Sequence, residues 1–347
     1  MKILLLAPTY MDLYLPIKDN LEKLGNEVTF IEDKTPSFYP YYRRKFLKNI
    51  IYHTIYFFRN IDKEYKKYWD VVIRDNDLLN KCFDVFFCIN GTSLHPYFID
   101  KIIKKNSYIH KSLYLWDTNK CYDFENNIAY FDKVYTFDKR DAETLGVNYL
   151  PFYYVESSNH SAKINYDAFC IGSLHDNRLG ILDSISKQMD TMNLSYIFKV
   201  VIISIENNII NRIKYLFVCL FESESKRMEM KYRMGMIQHK LLSTEYYPIQ
   251  EFNKLMDQSK VIIDTDREAQ SGLTPRLVWA LANGKTVITT NSNINLNEYC
   301  SEDNIWIIDR RNPIISKGMF QVNKNGVNPN SKIKNLEIKR WLLNFLP

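Results

Sequence analysis

Residues 264–291, DTDREAQSGLTPRLVWALANGKTVITTN, read as the end of a strand, a polar loop, a helix and a second strand. The apolar run KVIID stops at Asp264, the loop carries Gln270, Ser271 and Gly272, and the helix begins near Thr274. Pro275 falls in its first turn, where the missing N–H costs nothing. Free amides at such a helix start attract a phosphate. Each helix-terminal charge interaction contributes only about 0.3–1 kcal/mol at exposed sites, so a cation is expected beside them. Arg276 follows at once, and its guanidinium fork suits phosphate oxygens. Aimed at a ligand, it would add little to the core. Any strand-loop-helix unit starts its helix in this way, so the segment by itself sets a local fold and leaves its ligand open.

Working outward, the same alternation extends in both directions. Strands are expected at 167–171, 196–203, 260–264, 285–290 and 304–308, with helices between them. Upstream, KILLLA (2–7) is followed by a loop, an amphipathic stretch ending at Gly25 and a second apolar run, Val28 to Ile31. Further strands are expected at 83–89, 112–116 and 133–137, then a short helix closed by Gly146 and a last strand in VNYLPFYY. Residues 155–165 (VESSNHSAKIN) are polar and lack apolar periodicity, which marks a linker. The expected architecture is α/β, with two Rossmann-like domains facing across a cleft: 1–154 on the acceptor side, 166–330 binding a nucleotide-sugar, and a C-terminal helix in 331–347 packing back toward the first domain.

Composition sets bounds on function. A chain of 347 residues exceeds what one core usually organises. Its hydrophobic fraction of 46% and charged fraction of 25% are those of a globular protein rather than a disordered one. The run in MKILLLAPTY is short for a signal peptide and reads as a buried first strand, and no stretch of about eighteen apolar residues suggests a membrane span. A cytoplasmic location is therefore expected. The net charge of +6 is spread thinly along the chain, which argues against nucleic acid as a partner. Six cysteines without a C-x-x-C pair read as free thiols, and neither they nor the histidines have metal-ligand spacing.

Candidate binding residues gather where strands end. In FCIGSLHDNR (169–178) a strand runs into Gly172-Ser173 and a polar loop with Arg178, and glycine there lets backbone amides approach a phosphate closely. This loop and the 270–276 loop belong to one domain and can meet at one sheet edge, where α/β sheets hold their ligands. Asp264-Thr265-Asp266 has a D-x-D form, but at a strand end a loop-forming role is commoner, so no metal or other cofactor is expected. In the first half, Asp12, His95 and Asp117 lie in loops that follow strands, and a carboxylate or imidazole there can take a proton from an acceptor hydroxyl. Each also fits a plain capping role. Residues 41–69 place apolar side chains at helical spacing among Arg43, Arg44, Lys45 and Lys48, which fits either a membrane-surface helix or one packed on its own sheet.

Three blocks, YLWDTN (114–119), FDKVYTFDKRDAETLGVNYLPFYY (131–154) and QSGLTPRLVWALANGKTVITTN (270–291), resemble bacterial lipopolysaccharide and capsule glycosyltransferases of the GT-B type, related to the CgeB-like group. The likeness spans most of both halves and fades in 35–80 and 205–245. It implies sugar transfer from a nucleotide-sugar donor to a surface glycan such as lipopolysaccharide, O-antigen or capsule; the absence of metal-ligand spacing adds that no metal is needed, and the basic 41–69 segment adds the inner face of the membrane. By that resemblance Gln270, Gly272, Thr274 and Arg276 would fall in the donor-binding motif and Asp117 at the cleft; the loop reading adds Gly172, Ser173, Arg178, Ser271 and Leu273 on the donor side and Asp12 and His95 on the acceptor side. One departure stands out: members of this group usually carry Glu three residues beyond the motif's Arg, suited to a ribose, where this chain has Trp279. That keeps in view an inactive sugar-nucleotide-binding scaffold, and the same two-lobed fold also suits a nucleotide-sugar epimerase or hydrolase.

Overall fold

The computed structural model describes residues 1–34, 61–106, 109–121, 124–156, 163–268, 270–294, 299, 304–321 and 332–347. The chain divides into two units, one formed by Met1–Pro151 with Ile338–Pro347 and the other by Phe152–Glu337. Each is built on a six-stranded parallel sheet.

In the first unit the strands are β1 (Lys2–Ala7), β2 (Glu27–Glu32), β3 (Val85–Ile89), β4 (His110–Leu115), β5 (Lys133–Thr136) and β6 (Asn148–Tyr149), ordered β2-β1-β3-β4-β5-β6. Both faces of this sheet are covered, so its central strands are continuous apolar runs rather than alternating ones. On one face, Leu4, Leu6, Phe86, Cys88 and Leu113 pack with Trp69 and Ile73 of α2 (Ile61–Asp75) and with Phe98. The other face meets the chain's C-terminus. Helix α1 (Tyr14–Lys23) buries Ile17 and Leu21. Among the later helices are α3 (Pro96–Phe98), α4 (Glu125–Ile128) and α5 (Lys139–Leu145), the last capped by Asp138 and closed by Gly146 at φ 65°.

The second unit carries β7 (Tyr166–Ser173), β8 (Tyr196–Val201), β9 (Leu242–Ser243), β10 (Ser259–Asp264), β11 (Thr286–Thr289) and β12 (Ile305–Ile307). Their order, β12-β11-β10-β7-β8-β9, is 3-2-1-4-5-6 when numbered within the unit and read from β9, the order of dinucleotide-binding sheets. Its helices are α6 (Arg178–Thr191), α7 (Ile209–Phe221), α8 (Glu224–Arg233), α9 (Ile249–Asp257) and α10 (Pro275–Ala282). Leu182, Ile185 and Met189 of α6 pack on Cys170, Val261, Ile263 and Ile288. On the opposite face Phe169, Phe252 and Trp279 form edge-to-face pairs at 5.0 and 5.5 Å.

Several details differ from the sequence expectations. The run VNYLPFYY joins the first sheet through Asn148–Tyr149, because Pro151 has no N–H to continue the ladder, and beyond it Tyr154 forms an isolated bridge with Glu337. Phe152 and Tyr153 stack on each other and bury themselves in the second unit, so the unit boundary falls before the polar 155–165 segment. Strand β9, two residues long, has too little pattern to be read. Of the free thiols, Cys88 and Cys170 are buried and Cys82 is exposed. Residues 41–60 of the basic 41–69 segment lie outside the described residues, and within 61–69 Tyr65 and Trp69 belong to the core of the first unit. Among the described residues no helix is long and apolar enough to cross a membrane.

The short helix α11 (Ile338–Leu342) and the residues after it complete the first sheet. Phe345 stacks on Phe87 at 4.5 Å, its carbonyl accepts from Ser112 Oγ at 2.8 Å, and Trp341 meets Tyr114 edge-on at 4.8 Å while donating Nε1–H to the Pro151 carbonyl at 3.0 Å. Trp341 is fully buried. Trp341→Ala is therefore expected to cost about 3–5 kcal/mol of stability, measured as a lower urea midpoint with an unchanged far-ultraviolet spectrum in the folded baseline.

Candidate functional site

In a parallel sheet of this order, ligands bind at the carboxyl ends of the strands where the chain reverses direction across the sheet. That point lies between β7 and β10, which are direct neighbours. The loop after β7 holds Gly172, Ser173 and Arg178, and the loop after β10 runs from Thr265 to Thr274, so the two predicted donor loops meet at one edge.

Burial organises what they present. Asp264, the last residue of β10, is fully buried and accepts hydrogen bonds from Thr274 Oγ1 at 2.7 Å, Thr289 Oγ1 at 2.9 Å and Arg276 Nη2 at 3.0 Å. Arg276 also donates to the carbonyls of Ile171 at 2.7 Å and Thr265 at 3.3 Å. Arg178 reaches across from α6 to the Ser173 carbonyl at 2.6 Å and to Thr265, whose Oγ1 and carbonyl accept at 2.7 and 2.6 Å. The two guanidinium groups thus tie β7 to β10. Gly172 lies beneath both, since a Cβ there would overlap Arg178 and come within 3.0 Å of Arg276 Nη1. Arg276 is therefore a buried framework residue as well as a binding candidate, which corrects the expectation that it adds little to the core.

The rest of the edge is similarly built. Thr274 caps α10 by accepting from the Leu277 amide, Pro275 follows it, and Leu273 is fully buried. Ser271 is buried, and Asn291 holds the Gly272 carbonyl at 3.1 Å. Gln270 closes a turn through its amide to the Arg267 carbonyl. Asp266 bonds Thr290 Oγ1 at 2.6 Å and pairs with Arg310; burial, more than any other influence, pushes its carboxyl up. The D-x-D carboxylates thus serve a strand end and its two neighbours. Arg310 and Asn291, which sequence reasoning missed, lie at the ends of strands with no local pattern to flag them. His175, mostly buried beside Arg178, is held well below its ordinary range by that burial and that charge.

Trp279 lies on the other face of α10. Its Nε1–H donates to the Tyr153 carbonyl at 2.7 Å and its ring packs on Phe152 and Phe252. The position expected to hold a ribose-binding acid is here part of the core.

At the carboxyl edge of the first sheet, Asp12 follows β1 in a left-handed turn (φ 57°), Asn90 and His95 follow β3, and Asp117 follows β4. Asn90, itself left-handed at φ 59°, donates Nδ2–H to Asp117 Oδ2 at 2.8 Å and accepts from the Trp116 amide at 2.9 Å, which fixes Asp117 beside β3. His95 faces away from this pair. Its Nδ1 caps α3 by accepting from the Tyr97 amide at 3.2 Å, its Nε2 lies 3.3 Å from Asp62, and its ring stacks on Tyr65. Burial lowers its pKa despite Asp62, and its two nitrogens have partners on α3 and α2. Asp33, after β2, escaped notice in the sequence. It is buried, accepts four hydrogen bonds of 2.6–3.1 Å from Thr92 and Ser93, and so fixes the loop that follows Asn90.

No family model and no curated protein matches the chain. Among solved structures it is similar to a sucrose-phosphate synthase from Thermosynechococcus elongatus, at 9% identity over 100% of this chain and 95% of that one, with a TM-score of 0.47. It is also similar to the lipopolysaccharide outer core galactosyltransferase WaaB in its apo form (11% identity, 83% and 80% covered, TM-score 0.38) and to Acinetobacter baumannii MurG (8%, 100% and 96%, 0.39). Likenesses this distant leave the function to the chain's own residues.

Removing Arg276 leaves Asp264 buried without its countercharge, and breaking such a pair from one side costs about 3–5 kcal/mol. Arg276→Ala is expected to lower unfolding stability by that amount in urea titration, with no nucleotide present. A loss of nucleotide affinity at unchanged stability would return Arg276 to a purely ligand-facing role.

Proposed function

We propose that this protein is a metal-independent glycosyltransferase that takes a sugar from a nucleotide donor and adds it to a growing surface glycan, such as lipopolysaccharide, O-antigen or capsule, at the inner face of the cytoplasmic membrane. The observation that carries the proposal is the meeting of the Gly172-Ser173 loop and the 265–274 loop at the reversal point of a 3-2-1-4-5-6 sheet. Such an edge suits a nucleoside diphosphate for two reasons. The starts of α6 and α10 follow these loops and direct their positive ends toward the same edge. Buried Arg178 and Arg276 balance the two carboxylates of Asp264 and Asp266, and the partly exposed Arg310, paired with Asp266, adds one further positive charge. Because the guanidinium groups are already held by carbonyls, they act through their field and through the loop shape they impose, at no cost in reorganisation when the leaving phosphate gains charge.

In the reaction, the acceptor hydroxyl oxygen bonds to the anomeric carbon while the bond from that carbon to the phosphate oxygen breaks. The electron pair leaves with the nucleoside diphosphate. The hydroxyl proton passes to a carboxylate, for which Asp117, oriented by Asn90, is the better candidate and Asp12 the other. Asp264 and Asp266 are occupied by hydroxyl and guanidinium donors, which favours turnover without a metal held by the D-x-D. One observation favours a second reading: Trp279 is a core residue where a ribose-binding acid is expected, which suits a protein that binds a sugar nucleotide without turning it over.

Thermal-shift titration with UDP-, GDP-, CMP- and dTDP-sugars is expected to single out one nucleotide, with stabilisation reaching about 2.7 kcal/mol at a hundredfold excess over Kd. No shift with any of the four would overturn the donor site, and a shift without sugar transfer to any lipid-glycan extract would favour the second reading. With an active donor and acceptor in hand, turnover is expected to survive EDTA. Loss of activity that manganese or magnesium restores would give the D-x-D a metal.

A further inference from the structure

Helix α7, IINRIKYLFVCLF, leaves much of its apolar surface in solvent. Ile209 is 75% exposed, Ile213 50%, Leu216 60%, Phe217 52% and Leu220 72%. These positions follow the i, i+4, i+7, i+8, i+11 spacing of one helix face. Asn211, Tyr215, Val218 and Cys219, on the opposite side, are partly buried, so the helix lies along the protein with its apolar stripe outward. Asn208 caps it by accepting from the Asn211 amide at 2.9 Å. Single exposed apolar residues are ordinary; five on one face of one helix are not.

The charges around the stripe identify what covers it. At about 100° per residue, Arg212 lies about 80° to one side of the stripe's centre and Lys214 about 120° to the other. Both are exposed, and the helix contains no acidic residue. The following helix, α8, adds Lys226, Arg227, Lys231 and Arg233 against Glu224 and Glu229. A second copy of this chain laid on the same face would bring a matching helix that has cations and no carboxylate to pair with them. An anionic lipid surface satisfies both features: acyl chains take the stripe, and the long stems of Arg212 and Lys214 carry their charges outward to phosphate headgroups.

We propose that α7 is an in-plane anchor, with Ile209, Ile213, Leu216, Phe217 and Leu220 entering the outer acyl region of an anionic bilayer and Arg212 and Lys214 binding its phosphates. This gives the membrane location within the proposed function a surface and rests on that part of it. The readout is lipid binding, so a failure here leaves the donor site untouched.

The test is sedimentation of the full chain with vesicles of phosphatidylcholine alone or mixed with phosphatidylglycerol. The wild type is expected to bind the mixed vesicles and to lose most of that binding at about 1 M salt, where the Debye length falls to about 3 Å. R212S/K214S should bind about thirtyfold more weakly, as two basic residues near the surface imply. I213S/L216S/L220S should lose binding at every salt concentration while keeping the wild-type melting curve, since the replaced side chains are in solvent. Wild-type binding by I213S/L216S/L220S would move the anchor elsewhere in the chain and overturn the proposal. So would a wild type that ignores vesicles but sediments as a dimer which the same substitutions dissociate.

Discussion

The second unit depends on the burial of one carboxylate. Asp264 ends β10 with no exposed surface, and a charge in that position is tolerable only if donors surround it. Three do: the hydroxyls of Thr274 and Thr289 and the guanidinium of Arg276. Each bond has a structural consequence. Thr274 brings the start of α10 onto the strand end, Thr289 fastens the neighbouring strand β11, and Arg276 carries the link on to the Ile171 carbonyl in β7. The strand order puts β7 beside β10, and this carboxylate holds their ends at a fixed spacing.

Much of the fold was legible because burial on both faces of a parallel sheet writes itself as continuous apolar runs. KILLLA, FDVFFCI and KVIID each fill a central strand, and each stops where the chain turns at the carboxyl edge. A strand of two residues lacks that signature. Leu242–Ser243 pairs with β8 over two residues, too few for a period to show. The unit boundary was obscured for a related reason: the polar 155–165 segment looks like the break, yet the aromatic residues before it, Phe152 and Tyr153, are already buried with Trp279.

The candidate site was legible as loops and less so as roles. Gly172, Arg178, Thr274 and Arg276 do come together, as their places after two strands of one sheet imply. What spacing could not show is that both arginines donate to main-chain carbonyls, because a carbonyl has no letter in the sequence. The same holds for His95, whose partners Asp62 and Tyr65 lie on α2, thirty or so positions earlier in the chain and adjacent only after folding. Trp279 is the converse case. A motif position suggests a ligand contact, whereas its turn on α10 faces Phe252.

With the arginines invested in carbonyls, a donor phosphate bound as proposed would meet their field rather than a guanidinium fork. On the proposed reading, the phosphate would sit between the Gly172-Ser173 loop and the start of α10. Such a site would select for the phosphates that nucleotide donors share and would have little means of choosing among bases or sugars. Discrimination would then come from side chains farther along the two loops, which can change without disturbing Asp264. On the proposed reading one donor could be exchanged for another while the buried ion pair stays the same, so the residues easiest to recognise in the sequence would say least about the sugar.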